Sequence, residues 1–141
     1  MSAKTIIVQN PATLEKITEL SVTEAADVAA AVNRGRQAQK IWAQTSFSNR
    51  AKVLYRLRDL LLDDGDKLAD ILRAEPGRPR AEVFGAELFY LCDAIGSWAK
   101  KSAAYLRPEK IRPHFPLMKF KKVVSTYEPR GVIGIISPWN F

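Results

Sequence analysis

The chain has 141 residues, 47% of them apolar and 26% charged, which is the composition of an ordinary globular protein. No apolar run reaches the roughly 18 to 20 residues that a membrane-spanning helix needs, and a single cysteine excludes an internal disulfide. The formal net charge is +7, and one cysteine with one histidine gives no metal-ligand cluster of the usual kind.

The excess positive charge lies entirely in residues 100–122, where eight basic side chains accompany one acid, Glu109. Such a stripe can bind nucleic acid, but no nucleic-acid recognition motif accompanies it. A solvated helix end followed by a charged strand edge is the simpler explanation. We therefore expect neither a nucleic acid nor a membrane as a partner.

The first residues, MSAKTIIVQNP, lack the basic region and the long apolar stretch of a secretory signal. Together with the single cysteine, this favours a cytoplasmic location. Residues 5–20 are expected to be extended and irregular, with a turn at Asn10-Pro11-Ala12-Thr13. Asparagine holds such turns through its side chain, and proline fixes φ.

A helix is predicted over about residues 24–43, because Val28, Val32 and Ile41 share one apolar face. Two N-terminal caps compete for this helix. Thr23 is a good N-cap residue, and Ser21 with the glutamate three positions later forms a capping box. The sequence pattern does not decide between them.

Two further helices are predicted before residue 80. Ser46 or Ser48 caps the first of them, whose leucines keep the spacing of an amphipathic stripe. This helix is expected to end at Asp63-Asp64-Gly65. The next helix is short and ends at the Pro-Gly-Arg-Pro sequence of residues 76–79.

The longest helical stretch is predicted over residues 80–106, before Pro108. Cys92 lies on its apolar face and is expected to be a buried small hydrophobe rather than a nucleophile. His114 stands in a proline-flanked connector and has no catalytic partner in its vicinity in the sequence. We expect it to be an exposed loop residue.

The periodicity changes after residue 116. Lysines interleave with apolar and β-branched residues from 117 to 128, which favours a strand. Residues 132–136 form a continuous apolar run, typical of a parallel strand covered on both faces. Helices beside such a strand predict an α/β fold. A parallel neighbour needs a crossover of about a dozen residues, which do not follow Phe141 in this sequence.

Four stretches stand in a characteristic order: Asn10-Pro11-Ala12-Thr13, the helical block from Ala43 to Leu72, Glu75-Pro76-Gly77-Arg78-Pro79, and the run YEPRGVIGIISPWNF from Tyr127 to Phe141. With them, the chain resembles the N-terminal part of the aldehyde dehydrogenase superfamily. The resemblance covers nearly all of this chain but only about a third of a multi-domain family member. Leu14 stands where many members have glycine, and Arg78 stands where lysine is usual.

The resemblance implies an incomplete α/β fold in three parts. Residues 1–116 are implied to be the N-terminal helical part of a Rossmann-like cofactor-binding domain. Residues 117–129 are implied to form an oligomerisation-type strand, and residues 130–141 the first Rossmann-like strand and the start of the active-site loop. A homo-oligomer is implied to form through residues 117–128, because an exposed strand edge is a pairing surface.

Binding sites in open α/β sheets lie just past the carboxyl ends of the strands. The resemblance implies that Ile136, Ser137, Pro138 and Trp139 line the nicotinamide side of a cleft for NAD or NADP. It also implies that the side-chain amide of Asn140 donates to the oxyanion formed from an aldehyde substrate. The loss of one such donor costs about 10²–10³ in rate.

Gly131 and Gly134 do not form a dinucleotide fingerprint, because they lie before or within the predicted strand. Close packing is the expected reason for both. In family members the nucleophilic cysteine, the general-base glutamate and the phosphate-contacting glycine motif lie C-terminal to this region.

These features favour the N-terminal fragment of an NAD(P)-dependent aldehyde dehydrogenase, an enzyme that oxidises an aldehyde to a carboxylic acid. The isolated chain is expected to be inactive and to fold poorly. Two alternatives stay open: a stand-alone helical interaction module, which predicts a cooperative melt of the isolated chain, and a nucleic-acid-binding domain that uses residues 100–122, which predicts salt-dependent binding.

Overall fold

The computed structural model describes residues 4–138. Trp139 and Asn140, two of the predicted site residues, therefore lie outside the described residues. The described chain contains four short strands, five α-helices, one π-helical segment and one 3-10 turn. The strands form two separate two-stranded sheets, and the helices between them hold the buried core.

The chain begins with an antiparallel hairpin of β1 (Thr5–Gln9) and β2 (Lys16–Ser21). The predicted turn at Asn10 is confirmed, since the Asn10 Oδ1 atom accepts hydrogen bonds from the backbone amides of Ala12 (2.8 Å) and Thr13 (3.2 Å). The same turn holds Leu14 at a φ of 61°. The region expected to be irregular is thus a hairpin, whose pairing register shifts once, between Val8 and Gln9.

Three helices follow at the predicted places: α1 (Ala25–Gln44), α2 (Phe47–Asp63) and α3 (Gly65–Ala74). Ser46 is the N-cap of α2, and its Oγ atom accepts a hydrogen bond from the backbone amide of Asn49 at 3.2 Å. Both caps proposed for α1 are wrong. Glu24 occupies the N-cap position and makes no side-chain capping bond.

The long helical stretch is confirmed in extent but is not uniform. It consists of α4 (Arg80–Glu82), a π-helical segment (Val83–Phe89) and α5 (Tyr90–Tyr105). Such π turns in proteins are rare and accommodate one extra residue per turn. The segment therefore changes which side chains of the stretch face the neighbouring helices.

The core is small. α2 packs along α5, and α3 packs against the π-helical segment. Among the described residues, the buried apolar side chains are Ala69, Val83, Leu88 and Cys92, of which Ala69 and Val83 have no exposed surface. The predicted burial of Cys92 is confirmed. Most other large apolar side chains of residues 4–138 are half-buried or exposed.

The second sheet pairs β3 (Glu109–Ile111) with β4 (Val123–Ser125) in antiparallel register. The strand predicted for residues 117–128 is therefore much shorter than expected. The first residues of the predicted strand belong instead to a 3-10 turn, Pro116–Met118, which begins with a proline. β4 can pair only as far as its three-residue partner extends.

The strand predicted for residues 132–136 is absent from the part of the chain that the structure describes. A parallel strand exists only through hydrogen bonds to neighbours, and neither β3–β4 nor the hairpin reaches this segment. The close-packing role predicted for two glycines is also wrong. Gly131 has a φ of 95°, which favours glycine, and a Cβ atom on either Gly131 or Gly134 would meet nothing within 4 Å.

Candidate functional site

The segment that leads to the predicted site, residues 126–138, contains no helix and no strand. Its first anchor is Val132, which lies against the backbone of α1 at Gly35. A Cβ atom built on Gly35 would lie 3.2 Å from the Val132 Cγ2 atom. Gly131 and Val132 also line an apolar groove of about 500 Å³ with Ile41 and Trp42 of α1.

The second anchor is at the end of the described chain. Pro138 lines a cavity of about 180 Å³ together with Leu72, Glu75, Pro76, Arg78, Val83 and Glu87. The cavity thus lies where the loop after α3, the π-helical segment and the candidate active-site segment meet. Its wall combines apolar side chains with one ion pair.

That ion pair joins Arg78 to Glu87, nine residues apart, with 2.5 Å between the Arg78 Nη1 and Glu87 Oε1 atoms. The side chains are only 15% and 29% exposed, respectively. A charge-assisted bond that is largely shielded from water holds its geometry better than an exposed surface pair. The pair therefore links two elements at a defined distance beside Pro138.

The local sequence explains how Arg78 reaches this place. The backbone amide of Gly77 donates to the Arg73 carbonyl at 3.1 Å, and its φ of 74° reverses the chain at the end of α3. Pro79 then serves as the N-cap of α4. The glycine-proline pair on either side of Arg78 thus turns the chain between two helices.

A second, more exposed charge network lies nearby. The Arg80 guanidinium bonds to both Asp66 and Asp70 of α3 and lies 5.2 Å above the ring of Phe84. Arg80 is 41% exposed at its side chain and is not part of the cavity wall. This network joins α3 to the start of the next helical stretch.

The five residues predicted from the resemblance have different outcomes. Ile136 is fully exposed, and Ser137 is exposed. Pro138 is exposed as well but contacts the cavity. Trp139 and Asn140 lie outside the described residues. The roles predicted for all five stay predictions.

Arg78 and Glu87 were not found by sequence reasoning as members of this site. The family-like sequence at residues 75–79 was the available signal, and it was interpreted as a helix end and as a mark of the family, without a role in this site. Glu87 carried no motif. His114 is exposed, as predicted, and residues 4–138 contain no cluster of acidic, cysteine and histidine side chains that could hold a metal ion.

Within residues 4–138, no helix combines the length and the apolar character that crossing a bilayer requires. All eight basic side chains of residues 100–122 are exposed. They lie along the end of α5 and through the β3–β4 region. This agrees with the solvated surface expected from the sequence.

Comparison with known proteins gives a consistent picture. A family model described as the aldehyde dehydrogenase family matches residues 1–141. A protein of Mycobacterium ulcerans, provisionally assigned as an NADP(+) succinate-semialdehyde dehydrogenase, is 37% identical over 125 residues. The alignment covers 89% of this chain and 24% of the relative. A counterpart in Mycobacterium tuberculosis gives the same identity and coverage.

Solved structures agree with the mixed helix-and-strand fold. A succinate-semialdehyde dehydrogenase from Burkholderia pseudomallei superposes with a TM-score of 0.72 at 29% identity, over 79% of this chain and 23% of its own. An NAD-dependent benzaldehyde dehydrogenase from Corynebacterium glutamicum gives 0.71 at 23% identity, over 80% and 24%. The chain therefore spans about a quarter of the length of the proteins that it matches.

Proposed function

The chain belongs to the aldehyde dehydrogenase family, and from this we propose that it is the N-terminal part of an enzyme that oxidises an aldehyde to a carboxylic acid with NAD or NADP. The observation that carries the proposal is the family match across all 141 residues. The relatives and the solved structures support it, since those named as enzymes oxidise aldehydes. These proteins are named for different aldehydes, so the proposal extends to the aldehyde group and no further.

The cofactor proposal rests on the family resemblance of the segment from Tyr127 to Phe141, whose described end is exposed. Ile136 offers an apolar side chain that no other part of the described chain covers, and Ser137 offers a hydroxyl. An uncovered apolar side chain beside a polar group fits one edge of a planar, polar-substituted ring. By the family resemblance, Ile136, Ser137, Pro138 and Trp139 would hold the nicotinamide side of NAD or NADP. When bound, that cofactor supplies the acceptor for the hydride that leaves the substrate carbon.

Asn140 is proposed to act on the aldehyde substrate and not on the cofactor. Attack of a thiolate on the aldehyde carbonyl places negative charge on the former carbonyl oxygen. The Asn140 side-chain amide would donate a hydrogen bond to that oxygen and stabilise the charge as it develops. Residues outside this chain would supply the thiolate and the base that activates the hydrolytic water.

We also propose that these 141 residues are inactive by themselves. They contain one cysteine, Cys92, and it is 8% exposed on the apolar face of α5. A thiol buried among apolar side chains is a poor nucleophile. The few buried side chains and the many exposed apolar ones support a chain that needs further protein to complete its core.

Residues 117–128 are proposed to contribute to a homo-oligomer. β4 pairs with β3 on one side, and among the described residues its other edge pairs with no strand. Phe120, next to this strand, is 77% exposed. Light scattering of the protein at its full encoded length tests the proposal. We expect Val124→Pro to lower the assembled mass, whereas Phe115→Ser, which removes an exposed ring outside β4, should leave it unchanged.

The first experiment is to sequence the gene beyond the codon for Phe141. Continuation of the reading frame into the rest of an aldehyde dehydrogenase, followed by aldehyde-dependent formation of NADH or NADPH by that protein, is the expected result. A stop codon would contradict the proposal. Aldehyde-dependent reduction of NAD or NADP by the purified 141-residue chain would contradict its predicted inactivity.

A further inference from the structure

A cleft of about 200 Å³ lies between the end of α1, the first half of α2 and the end of α5, with Arg50 and Phe47 on one side and Trp98 and Ser102 on the other. No residue of the candidate active-site segment, 126–138, belongs to its wall. We propose that this Arg50 cleft binds a small carboxylate with an apolar body of about one six-membered ring. The inference goes beyond the proposed function and does not depend on it.

The Arg50 guanidinium is held in place by two contacts at the junction of α1 and α2. Its Nε atom donates a hydrogen bond to the Thr45 carbonyl oxygen at 2.9 Å, and its central carbon lies 4.4 Å from the centroid of the Phe47 ring. Thr45 is itself fixed, because its backbone amide donates to the Trp42 carbonyl at 3.0 Å. A half-buried guanidinium that is held in this way loses little further freedom when a ligand binds to it.

The outer edge of this guanidinium has donors to spare. Among residues 4–138, Arg50 forms no ion pair, and its two Nη atoms donate no hydrogen bond. Because the Nε atom is used by Thr45, the free edge is the one that the Nη atoms form. Its parallel N–H groups match the two oxygens of a carboxylate. Partial burial lowers the local dielectric constant and makes such a pair stronger than one on the open surface.

The other polar groups of the wall also favour a ligand that accepts hydrogen bonds. Within the described chain, no acidic side chain lines the Arg50 cleft. The indoles of Trp42 and Trp98, which do line it, carry an N–H donor and no acceptor. The Ser102 hydroxyl donates to the Trp98 backbone carbonyl. Arg50 therefore decides the charge of the occupant, and an anion fits this wall better than an amine does.

The size of the Arg50 cleft and its apolar side chains define the rest of the ligand. Leu54 and Leu106 line it together with the two indoles, and Ala51 of α2 and Ala99 of α5 leave open space where the two helices pack. An apolar cavity of about 150 Å³ holds one benzene molecule. The cleft, at about 200 Å³, has room for such a ring and a carboxylate group. Benzoate is therefore the probe that matches both its charge and its volume.

The test measures benzoate binding to the protein at its full encoded length by isothermal titration calorimetry, without aldehyde or nicotinamide cofactor. Arg50→Met keeps an apolar side chain and removes the guanidinium. Ala99→Leu fills the space and leaves the guanidinium in place. Arg56→Met is the matched control, because Arg56 is an exposed arginine of the same helix that does not line the cleft. Circular dichroism melts establish that each variant is folded.

We expect the wild type and Arg56→Met to bind one benzoate per chain with the same affinity. Arg50→Met should weaken binding by at least about tenfold, because a charge-assisted pair is lost. Ala99→Leu should weaken it by a similar factor, because the ring is excluded. If the wild type shows no saturable binding up to about 10 mM benzoate, the proposal is overturned. Binding that neither Arg50→Met nor Ala99→Leu weakens would also overturn it, because benzoate would then bind elsewhere.

A second ligand separates charge from shape and requires no substitution. Benzamide has the same ring and nearly the same size as benzoate but carries no charge. It should bind the wild type at least about tenfold more weakly than benzoate does. Equal affinity for the two ligands would contradict a carboxylate site, even if the Arg50 variant does not fold. Since no substrate or cofactor is present, these titrations decide the inference whether or not the protein oxidises an aldehyde.

Discussion

Val132 lies directly against the backbone of Gly35, so that a Cβ atom at position 35 would come within 3.2 Å of the Val132 Cγ2 atom. Such a distance is closer than ordinary van der Waals contact and requires the neighbour to shift. Gly35 is in the interior of α1, where glycine destabilises a helix by about 0.5–1 kcal/mol relative to alanine. Its presence there is explained by the close approach of the candidate active-site segment.

This contact predicts different effects of alanine at two helical glycines. A Cβ atom on Gly96, in α5, would be 3.8 Å from the Arg58 Nη1 atom, an ordinary contact. Gly96→Ala should therefore raise the free energy of unfolding by about 0.5–1 kcal/mol. Gly35→Ala should raise it less, because the Val132 side chain must move. Urea titrations followed by helical circular dichroism measure both.

A double-mutant cycle isolates the contact. In a Val132→Ala background, Gly35→Ala should recover the full gain of the Gly96 variant, which gives a coupling of about 0.5 kcal/mol or more between positions 35 and 132. Additive effects of the two substitutions would show that Val132 does not restrict position 35. Gly96→Ala in the same background serves as the control and should be additive.

The cap of α2 gives a second prediction. The Ser46 Oγ atom accepts from the Asn49 amide, whereas Ser48 is an exposed residue within α2. Ser46→Ala should lower the free energy of unfolding by about 1 kcal/mol, and Ser46→Asp should largely retain it. Ser48→Ala should have an effect within about 0.5 kcal/mol of zero. An equal loss in the two alanine variants would contradict the assignment of the cap.

Local signals made α1, α2 and α3 predictable to within a few residues. The apolar spacing of a helix, a serine before its first turn and a glycine or proline after its last one all act over a few neighbours. The choice between Ser46 and Ser48 was left open because either could cap the same run. Only the geometry of the first turn decides between them.

Residues 132–136 show that local sequence signals are not sufficient to predict a strand. A continuous apolar run is compatible with a buried strand, but a strand needs partners whose hydrogen bonds satisfy its backbone. Residues 4–138 bring no such partner to it. The apolar pattern therefore predicts burial in some environment, and it does not by itself create a sheet.

The Arg78–Glu87 pair could not be found from the sequence for a related reason. Its formation needs the reversal at Gly77 and the rotation introduced by the π-helical segment. One extra residue in a turn rotates the following side chains by about 100° around the helix axis, so α-helical periodicity misplaces Glu87. The residues drawn from the family resemblance, in contrast, required no knowledge of this geometry.

Leu14 gives a third prediction, because its φ of 61° lies in the left-handed region that glycine adopts readily. The left-handed conformation costs a non-glycine residue about 1–2 kcal/mol. Because Leu14 is 71% exposed, burial of its side chain offsets little of this cost. Leu14→Gly should stabilise the β1–β2 hairpin, partly offset by the added freedom of glycine in the unfolded chain. Hydrogen exchange of the hairpin amides is the measurement.

The matched control at this turn is Leu14→Ala. Alanine removes the same exposed side chain but keeps the Cβ atom that makes the left-handed conformation unfavourable. It should give no slowing of exchange, whereas the glycine variant should slow it. Equal protection in both variants would show that the leucine side chain, and not the backbone conformation, was the source of the cost.

The hairpin also gives a prediction on pH. The side-chain contacts of Glu19 with Lys16 and, to a smaller extent, Thr5 lower the pKa of the Glu19 carboxyl below its ordinary value of 4.5. Because the folded-state pKa is lowered, the carboxylate contributes stability that is present above the ordinary pKa. That stability is lost as the pH falls through the folded-state pKa. The hairpin should therefore weaken on acidification below about pH 4.5.

Nuclear magnetic resonance titration of the Glu19 side-chain carboxyl measures this shift directly. Lys16→Met should return the pKa of Glu19 toward its ordinary value, because the first and largest cause of the shift is removed. Thr5→Val should return it by a smaller amount. Since the Glu19 side chain is exposed to solvent, the shift should also shrink as salt is added. A Glu19 pKa that is the same in the wild type and in Lys16→Met would contradict the ion pair as its cause.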